Sequence, residues 1–496
     1  MINLSSFIAF HASRTPDRIA VIFDGAEISY RALSARIAQT AGWLAAQGIS
    51  PGDVVAVLMK NSAAFLELAM AIGHAGGVFL PINFRLSADE VAYICKDSGA
   101  KLLLADEELL ASATGVARVI PVTPAAQADS TRLGTAAPLP MVVKHPQDLF
   151  RLMYTSGTTD RPKGVMHTYE NFYWKCADHV LALGLNAQSR LLMAGPLYHV
   201  GAFDLPGVAV LWQGGSVVIL REFSASAALE RIEANHINCA WLAPVMTTAL
   251  LSEAPTSGRD LTSLRWVIGG GERTPEARIR SFTQSFPNAR YIDAYGLTES
   301  CSGDTLMEAG REIEKIGSVG RALAHVEIEI RDESGAPLPA GQAGEICLRG
   351  PKVTRGYWND PAKTKAAFFG DWFRTGDMGY LDAEGFLYLT DRLKDMIISG
   401  GENIASSEVE RAILELSGVR EVAVIGVADA QWGERPVAYV VAEAGSALDS
   451  AAVIAHCRAR LAPFKAPRDV VFREALPRNP SGKILKRVLR EELKLT

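Results

Sequence analysis

A strand-like run from Asp148 to Met153 leads into Tyr154-Thr155-Ser156-Gly157-Thr158-Thr159-Asp160-Arg161-Pro162-Lys163-Gly164-Val165, and a helix is expected to begin at Tyr169. Few segments constrain a chain as strongly. Thr155, Ser156, Thr158 and Thr159 supply side-chain donors, and Gly157 and Gly164 let backbone N–H groups approach oxygens. Arg161 and Lys163 neutralise charge, so the loop suits a polyphosphate. It is not a Walker A loop, because Pro162 stands where that motif needs its second glycine before the lysine. An ordinary P-loop nucleotidase is therefore disfavoured.

With 496 residues the chain can bury large cores in at least two domains. Hydrophobic residues at 48%, charged residues at 21% and a net charge of −5 exclude a wholly disordered chain and give no global reason to expect nucleic acid. Small-molecule partners are expected. Met1-Ile2-Asn3-Leu4-Ser5 lacks a basic segment followed by an apolar core, so a cytoplasmic location is expected. The apolar region Leu191 to Leu220 is interrupted by Pro196, His199, Asp204 and Pro206 and reads as buried strands and loops rather than a membrane span. Six scattered cysteines without C-x-x-C spacing argue against a zinc site or disulfide framework.

Strand and helix patterns alternate from Ala20 onward, through Val54 to Met59, Phe65 to Ile72, Ser216 to Leu220, Trp266 to Gly269 and Arg290 to Ile292, predicting an α/β fold. Pro121 to Pro146 reads as a surface connection, and strands near Val326 to Ile330 and Glu345 to Arg349 suggest a β-rich subdomain. The charged segment Thr390 to Asp395 marks a boundary. Residues 1–391 are expected to form a large domain, 392–394 a hinge and 395–496 a small mobile α/β lid. In the lid, Ser407-Glu408-Val409-Glu410 reads as a capping box. Residues Ala455 to Thr496 hold eleven Lys/Arg against four Asp/Glu, which suits either a solvated face or a polyphosphate ligand.

The order Y-T-S-G-T-T-x-R-P-K-G-V resembles the phosphate loop of the acyl-adenylate-forming superfamily, in its acyl-CoA synthetase branch, and further matching motifs follow in order along nearly the whole chain. The resemblance implies a role for each. In Pro196-Leu197-Tyr198-His199-Val200-Gly201, His199 would line the acyl pocket. In Gly269-Gly270-Gly271-Glu272-Arg273, the glycine turn would pack against adenine. In Tyr295-Gly296-Leu297-Thr298-Glu299, Tyr295 would stack on adenine, Thr298 would contact phosphate and Glu299 would help hold Mg²⁺, a hard cation that takes oxygen ligands. Asp377 would accept from both ribose hydroxyls, and Arg392 would reach ribose or phosphate. Lys394 falls at the hinge, where many relatives carry aspartate. Gly400 and Gly401 would line the pantetheine tunnel. Lys483, in Asn479-Pro480-Ser481-Gly482-Lys483-Ile484, would contact the reacting carboxylate and α-phosphate. Lys465 is a further candidate for the CoA phosphates. Asp160 departs from the family pattern, which favours glycine there, and is expected to face solvent or pair with Arg161.

The resemblance implies an ATP- and Mg²⁺-dependent ligase that joins a carboxylic acid to coenzyme A through an acyl-AMP. Its acid is fatty, aromatic or alicyclic, bound near His199 to Asp204, Ala243 to Met246, Gly269 to Gly271 and Ser300 to Asp304. Asp204 and Asp304 are read either as recognising a polar substituent or, more simply, as outward-facing or capped. Three rival readings are a free-standing adenylation enzyme serving a carrier protein, a luciferase-like side activity and a catalytically silent nucleotide-binding regulator. The presence of Lys483, Glu299 and Asp377 weighs against the last. Gly400-Gly401 favours CoA over a carrier protein.

Overall fold

The computed structural model describes residues 3–496 apart from 124–135, 156–161, 271–273, 275, 393–394, 400–401, 430–431, 444, 479–483 and 495–496. It divides into two compact units, residues 1–328 with 348–373 and residues 329–347 with 374–496. The division passes through the strands Glu327–Arg331, Gly344–Arg349 and Trp372–Leu381 of one small sheet.

The larger unit is an α/β structure built on two sheets. A six-stranded sheet runs in the order Val119–Val122, Leu102–Asp106, Val54–Leu58, Val78–Ile82, Leu149–Thr155, Lys163–Thr168. Its inner strands Val54–Leu58, Val78–Ile82 and Leu102–Asp106 are buried at every position and pair in parallel, as continuous apolar runs covered on both faces should. The second sheet has nine strands and carries the parallel series Arg190–Met193, Cys239–Leu242, Trp266–Gly270 and Arg290–Tyr295.

Two expectations change here. Lys163, read as a loop residue, is the first residue of a strand that pairs antiparallel with Leu149–Thr155, with Thr155 opposite Lys163. The stretch Lys163–Thr168 is therefore strand, and the helix begins at Tyr169 as expected. β-Branched Val165 and Thr168 sustain the strand. It ends where the Thr168 hydroxyl accepts from the Asn171 N–H and the Asn171 side chain accepts from the Thr168 N–H, a reciprocal cap that opens the helix Tyr169–Leu183. The second change lies in 191–220, where helical turns occupy Val200–Ala202, Phe203–Gly207 and Val208–Trp212 between the strands. The connection before the hairpin is also partly docked, since the Leu139 and Val142 N–H groups donate to the Ala38 and His74 carbonyls.

In the smaller unit, Glu402–Ile404, Ile397–Ser399, Gly433–Ala442 and Val419–Asp429 form an antiparallel sheet to which Asp469–Phe472 adds in parallel. Helices Ser406–Leu414, Ser450–Arg460 and Lys486–Lys494 accompany it. The expected capping box at 407–410 is not formed. The helix starts after Ala405, and the Asp391 carboxylate receives the Ser406 N–H. Glu410 turns inward, where its carboxylate accepts from the Val424 N–H and pairs with Lys486 at 2.8 Å. Burial raises the Glu410 carboxyl above its usual range despite that pair. Among the described residues no helix is long and apolar enough to cross a membrane. All six cysteines are buried and unpaired.

Candidate active site

In the larger unit the candidate residues gather around the turn that follows the strand Arg290–Tyr295. Gly296 lets the chain fold back tightly, because a Cβ there would lie 2.3 Å from the Gly303 nitrogen. Thr298 to Ser300 then form a single helical turn, closed by Cys301 at φ 58°.

Two groups converge on the Glu299 carboxylate. The Tyr357 hydroxyl donates to its Oε1 at 3.0 Å, and the Lys163 ammonium donates to the same hydroxyl at 2.7 Å. Lys163 Nζ also lies 3.7 Å from Glu299 Oε1 and 3.9 Å from the centre of the Tyr357 ring. Burial holds the Lys163 pKa below its ordinary value, and the Glu299 charge opposes that shift only in part. Burial and the neighbouring carboxylate push the Tyr357 phenol up, so it remains a donor. A half-desolvated cation of this kind gains from an added anion.

At the paired end of the hairpin, the Thr155 hydroxyl is buried with no hydrogen-bond partner among the described residues. An orphaned donor beside a lysine and a lone carboxylate fits a phosphate chain with a hard cation. No three His, Cys, Asp or Glu side chains gather into a metal site among the described residues, so a cation at Glu299 would take its other oxygens from phosphates and water.

The backbone of the turn is anchored from below. The Thr298 carbonyl accepts from His167 Nε2 at 2.6 Å and from the Cys301 N–H at 3.1 Å, and the Glu299 carbonyl accepts from the Thr354 N–H at 2.6 Å. Lys163, Val165 and His167 alternate along one strand and so share a face, with the lysine and the histidine both addressed to the same turn.

Tyr295 is buried at the end of its strand. Gly269 and Gly270 lie in the strand Trp266–Gly270, and a Cβ at Gly269 would fall 1.7 Å from the Tyr291 hydroxyl, so internal packing alone already demands glycine there. His199 accepts the Gly201 N–H at Nδ1 (3.1 Å), and its ring stacks at 6.4 Å on Trp241, which fills the space above Gly195 and Gly201. Ser156, Gly157, Thr158, Thr159, Asp160, Gly271 and Glu272 lie outside the described residues.

Asp204 and Asp304 are neither outward-facing nor simply capped. Asp204 receives both arms of the Arg151 guanidinium at 2.9 and 2.6 Å, with both side chains at most 1% exposed. Asp304 pairs with Lys352 at 3.0 Å, both fully buried, and Lys352 also donates to the Ser302 carbonyl. Both aspartates are thereby engaged inside the fold. Sequence reasoning passed over Tyr357, His167, Arg151 and Lys352. Arg151 did leave a signal, a charged residue inside the apolar run Leu149 to Met153, because a buried guanidinium requires a buried acceptor. Tyr357 left none.

In the smaller unit Asp377 and Arg392 are directly opposite each other across the strands Trp372–Leu381 and Leu387–Arg392. The Lys465 ammonium is held by both oxygens of Glu408 at 2.9 and 2.8 Å, so a CoA phosphate would have to compete with that carboxylate. Lys394, Gly400, Gly401 and Lys483 lie outside the described residues. Arg478 and Ile484 pair across the segment that contains Lys483.

Comparison with known proteins gives matching results. Residues 8–358 match the family described as AMP-binding enzyme, and residues 408–483 match the AMP-binding enzyme C-terminal domain. The chain is 37% identical to a feruloyl-CoA synthase of Amycolatopsis over 486 residues, covering 98% of both chains. It is 36% identical to a long-chain-fatty-acid–CoA ligase of Mycobacterium tuberculosis, covering 100% of this chain and 99% of the relative. The solved o-succinylbenzoate CoA synthetase of Bacillus subtilis, in complex with its acyl-adenylate intermediate, superposes with a TM-score of 0.89 at 33% identity, covering 98% of this chain and 97% of that one. The chain belongs to the AMP-binding enzymes, in their acyl-CoA synthetase and aromatic-acid CoA ligase branch.

Proposed function

We propose that this protein activates an aromatic carboxylic acid with ATP and transfers the acyl group to coenzyme A. In the first step a carboxylate oxygen forms a bond to the α-phosphorus, the bond to the β-phosphate bridging oxygen breaks, and pyrophosphate leaves. In the second the CoA sulfur, its proton lost to solvent, bonds to the acyl carbon as the carbon–oxygen bond to AMP breaks. Lys163 and Thr155 would bind the phosphates, Glu299 would hold Mg²⁺, and Tyr295 and Asp377 would hold the nucleoside. When bound, the cation neutralises charge on the phosphate oxygens. Lys483 would stabilise charge gained at the α-phosphate. Rotation of the segment after Lys394 would then bring Gly400 and Gly401 to the acyl-AMP.

The observation that carries this reading is the Lys163–Tyr357–Glu299 cluster beside the unpartnered Thr155 hydroxyl, a polyphosphate-and-cation arrangement in a chain that is family-like from end to end. An aromatic acid is favoured because His199, in a segment assigned to the acyl pocket, stacks on Trp241, which lies two residues before another such segment, and because the relatives include a feruloyl-CoA synthase and an o-succinylbenzoate CoA synthetase. The cytoplasm, which supplies ATP and coenzyme A, is the proposed setting. A panel of cinnamic, benzoic, arylacetic, alicyclic and fatty acids, assayed for CoA-dependent AMP formation, tests it. Ring-bearing acids should lead the panel by kcat/KM; a preference for fatty acids would overturn the aromatic assignment, and AMP formation without CoA dependence would overturn the ligase.

A further inference from the structure

Behind the Thr298–Glu299 turn lies a chain of buried polar groups. Asp204 accepts both terminal nitrogens of Arg151. Arg151 Nε is directed at His167 Nδ1 at 3.0 Å, and its NH2 group lies 2.9 Å from the same atom. His167 Nε2 is 2.6 Å from the Thr298 carbonyl oxygen. A guanidinium can only donate, so Nδ1 must accept; a carbonyl can only accept, so Nε2 must carry the hydrogen. The network thus admits one tautomer of neutral histidine. Burial and the Arg151 charge both hold the imidazole pKa well below its ordinary value, in agreement with that assignment.

Such a chain is a costly way to stabilise a fold, because a buried ion pair commonly contributes no more than apolar side chains of similar volume. What it provides is direction. The fork of Arg151 fixes the plane of the His167 ring, and the ring fixes the height of one carbonyl. That carbonyl belongs to the residue before Glu299, in a turn too short to absorb a shift elsewhere. Asp204 lies in the segment that starts at His199, so the same network ties the assigned acyl-pocket segment to the assigned cation ligand.

We infer that His167 is a positioning residue for the adenylation half-reaction, holding the Thr298 carbonyl and hence the Glu299 carboxylate in place, and that Arg151 and Asp204 keep its ring in the one orientation and tautomer that can do so. The inference rests on the proposed roles of Thr298 and Glu299 in ATP activation.

Two substitutions separate positioning from packing. His167→Asn sets an amide oxygen near the place of Nδ1, so Arg151 stays satisfied while the donor to Thr298 is lost. His167→Gln reaches the place of Nε2 and restores that donor. In ATP–pyrophosphate exchange, His167→Asn should lower kcat by about 10–100-fold, the scale of a misplaced catalytic group, and His167→Gln should recover most of the loss. Transfer from supplied acyl-AMP to CoA should change by less than about threefold in either variant, since it does not draw on the cation ligand. Exchange by His167→Asn at the parental rate, equal impairment of the two variants, or an equal loss in both half-reactions would overturn the inference. Arg151→Lys approaches the same point from the other side and serves if His167→Asn melts below the assay temperature. It keeps a cation against Asp204 but not the fork on Nδ1, and is expected to lose exchange to a similar extent; parental exchange by a folded Arg151→Lys enzyme is equally decisive against it. A parent enzyme without any exchange would defeat the proposed function itself, a different outcome from an active parent indifferent to residue 167.

Discussion

Lys163 Nζ and Glu299 Oε1 are 3.7 Å apart, and the Tyr357 hydroxyl bonds to both, at 2.7 and 3.0 Å. The hydroxyl thereby bridges a half-buried ammonium and the carboxylate that faces it. Tyr357→Phe preserves the ring beneath the ammonium and removes only the oxygen. Hydrogen bonds to charged groups contribute about 1.5–3 kcal/mol, so ATP–pyrophosphate exchange should fall by roughly tenfold to a hundredfold. A Tyr357→Phe enzyme with parental exchange kinetics would show that the hydroxyl has no part in arranging the pair.

Lys483→Ala should slow acyl-AMP formation far more than it slows transfer from supplied acyl-AMP to CoA. A cation needed only while charge grows at the α-phosphate is worth on the order of 2.7–4 kcal/mol when removed. Single-turnover assays read the two steps separately. Comparable losses in both would remove Lys483 from the role.

Lys352→Met should be among the most destabilising single changes in the larger unit. It strands Asp304 in the interior without its partner and leaves the Ser302 carbonyl without its lysine donor. Breaking a buried pair from one side typically costs about 3–5 kcal/mol. Thermal melts of Lys352→Met, Asp304→Leu and the double variant form a cycle. The double variant should melt higher than Lys352→Met, and additivity of the two single losses would argue against direct coupling.

Acid stability follows from His167 and His179. Burial is the main cause holding both imidazoles well below the ordinary value of 6.5, with nearby cations adding to it. The unfolded chain binds protons there near its ordinary pKa while the folded chain does not, so stability is full above about pH 6.5 and declines as pH falls below it. Each histidine contributes a slope approaching ~1.4 kcal/mol per pH unit. Melting temperatures between pH 7.5 and 5 should show the decline, and His179→Gln should make it shallower. An unchanged slope in that variant would mean that His179 is accessible to protons in the folded state.

Legibility of the sequence followed local chemistry. The strands Val54–Leu58 and Trp266–Gly270 could be read from apolar runs bounded by turn residues, and the family from the order of its motifs. What could not be read depended on distant partners. Pro162 and two glycines made Lys163 look like loop, yet the pairing with Leu149–Thr155 makes it strand. Ser407 and Glu410 have capping-box spacing, but the Ser407 hydroxyl donates to the Thr390 carbonyl and the Glu410 carboxylate pairs with Lys486, both remote in sequence. Asp204 and Asp304 were read from their own surroundings in sequence, whereas Arg151 and Lys352 decide their environment from about fifty residues away. Tyr357 acquires its role only from the two charges that the fold sets on either side of it.

The second strand of the hairpin, Lys163–Thr168, sets a fixed interval. Lys163 and His167 are four residues apart, roughly 13 Å along an extended chain, one at each end of a face that meets the Thr298–Glu299 turn. Residues added to or removed from segment 156–162 would leave that interval untouched. A single residue inserted between Val165 and His167 would send one of the two side chains to the opposite face of the sheet. Single-residue insertions between Lys163 and His167 are therefore expected to abolish adenylation even where the protein still folds, and a set of insertions at 164–167, scored for adenylation and for thermal melting, checks that limit.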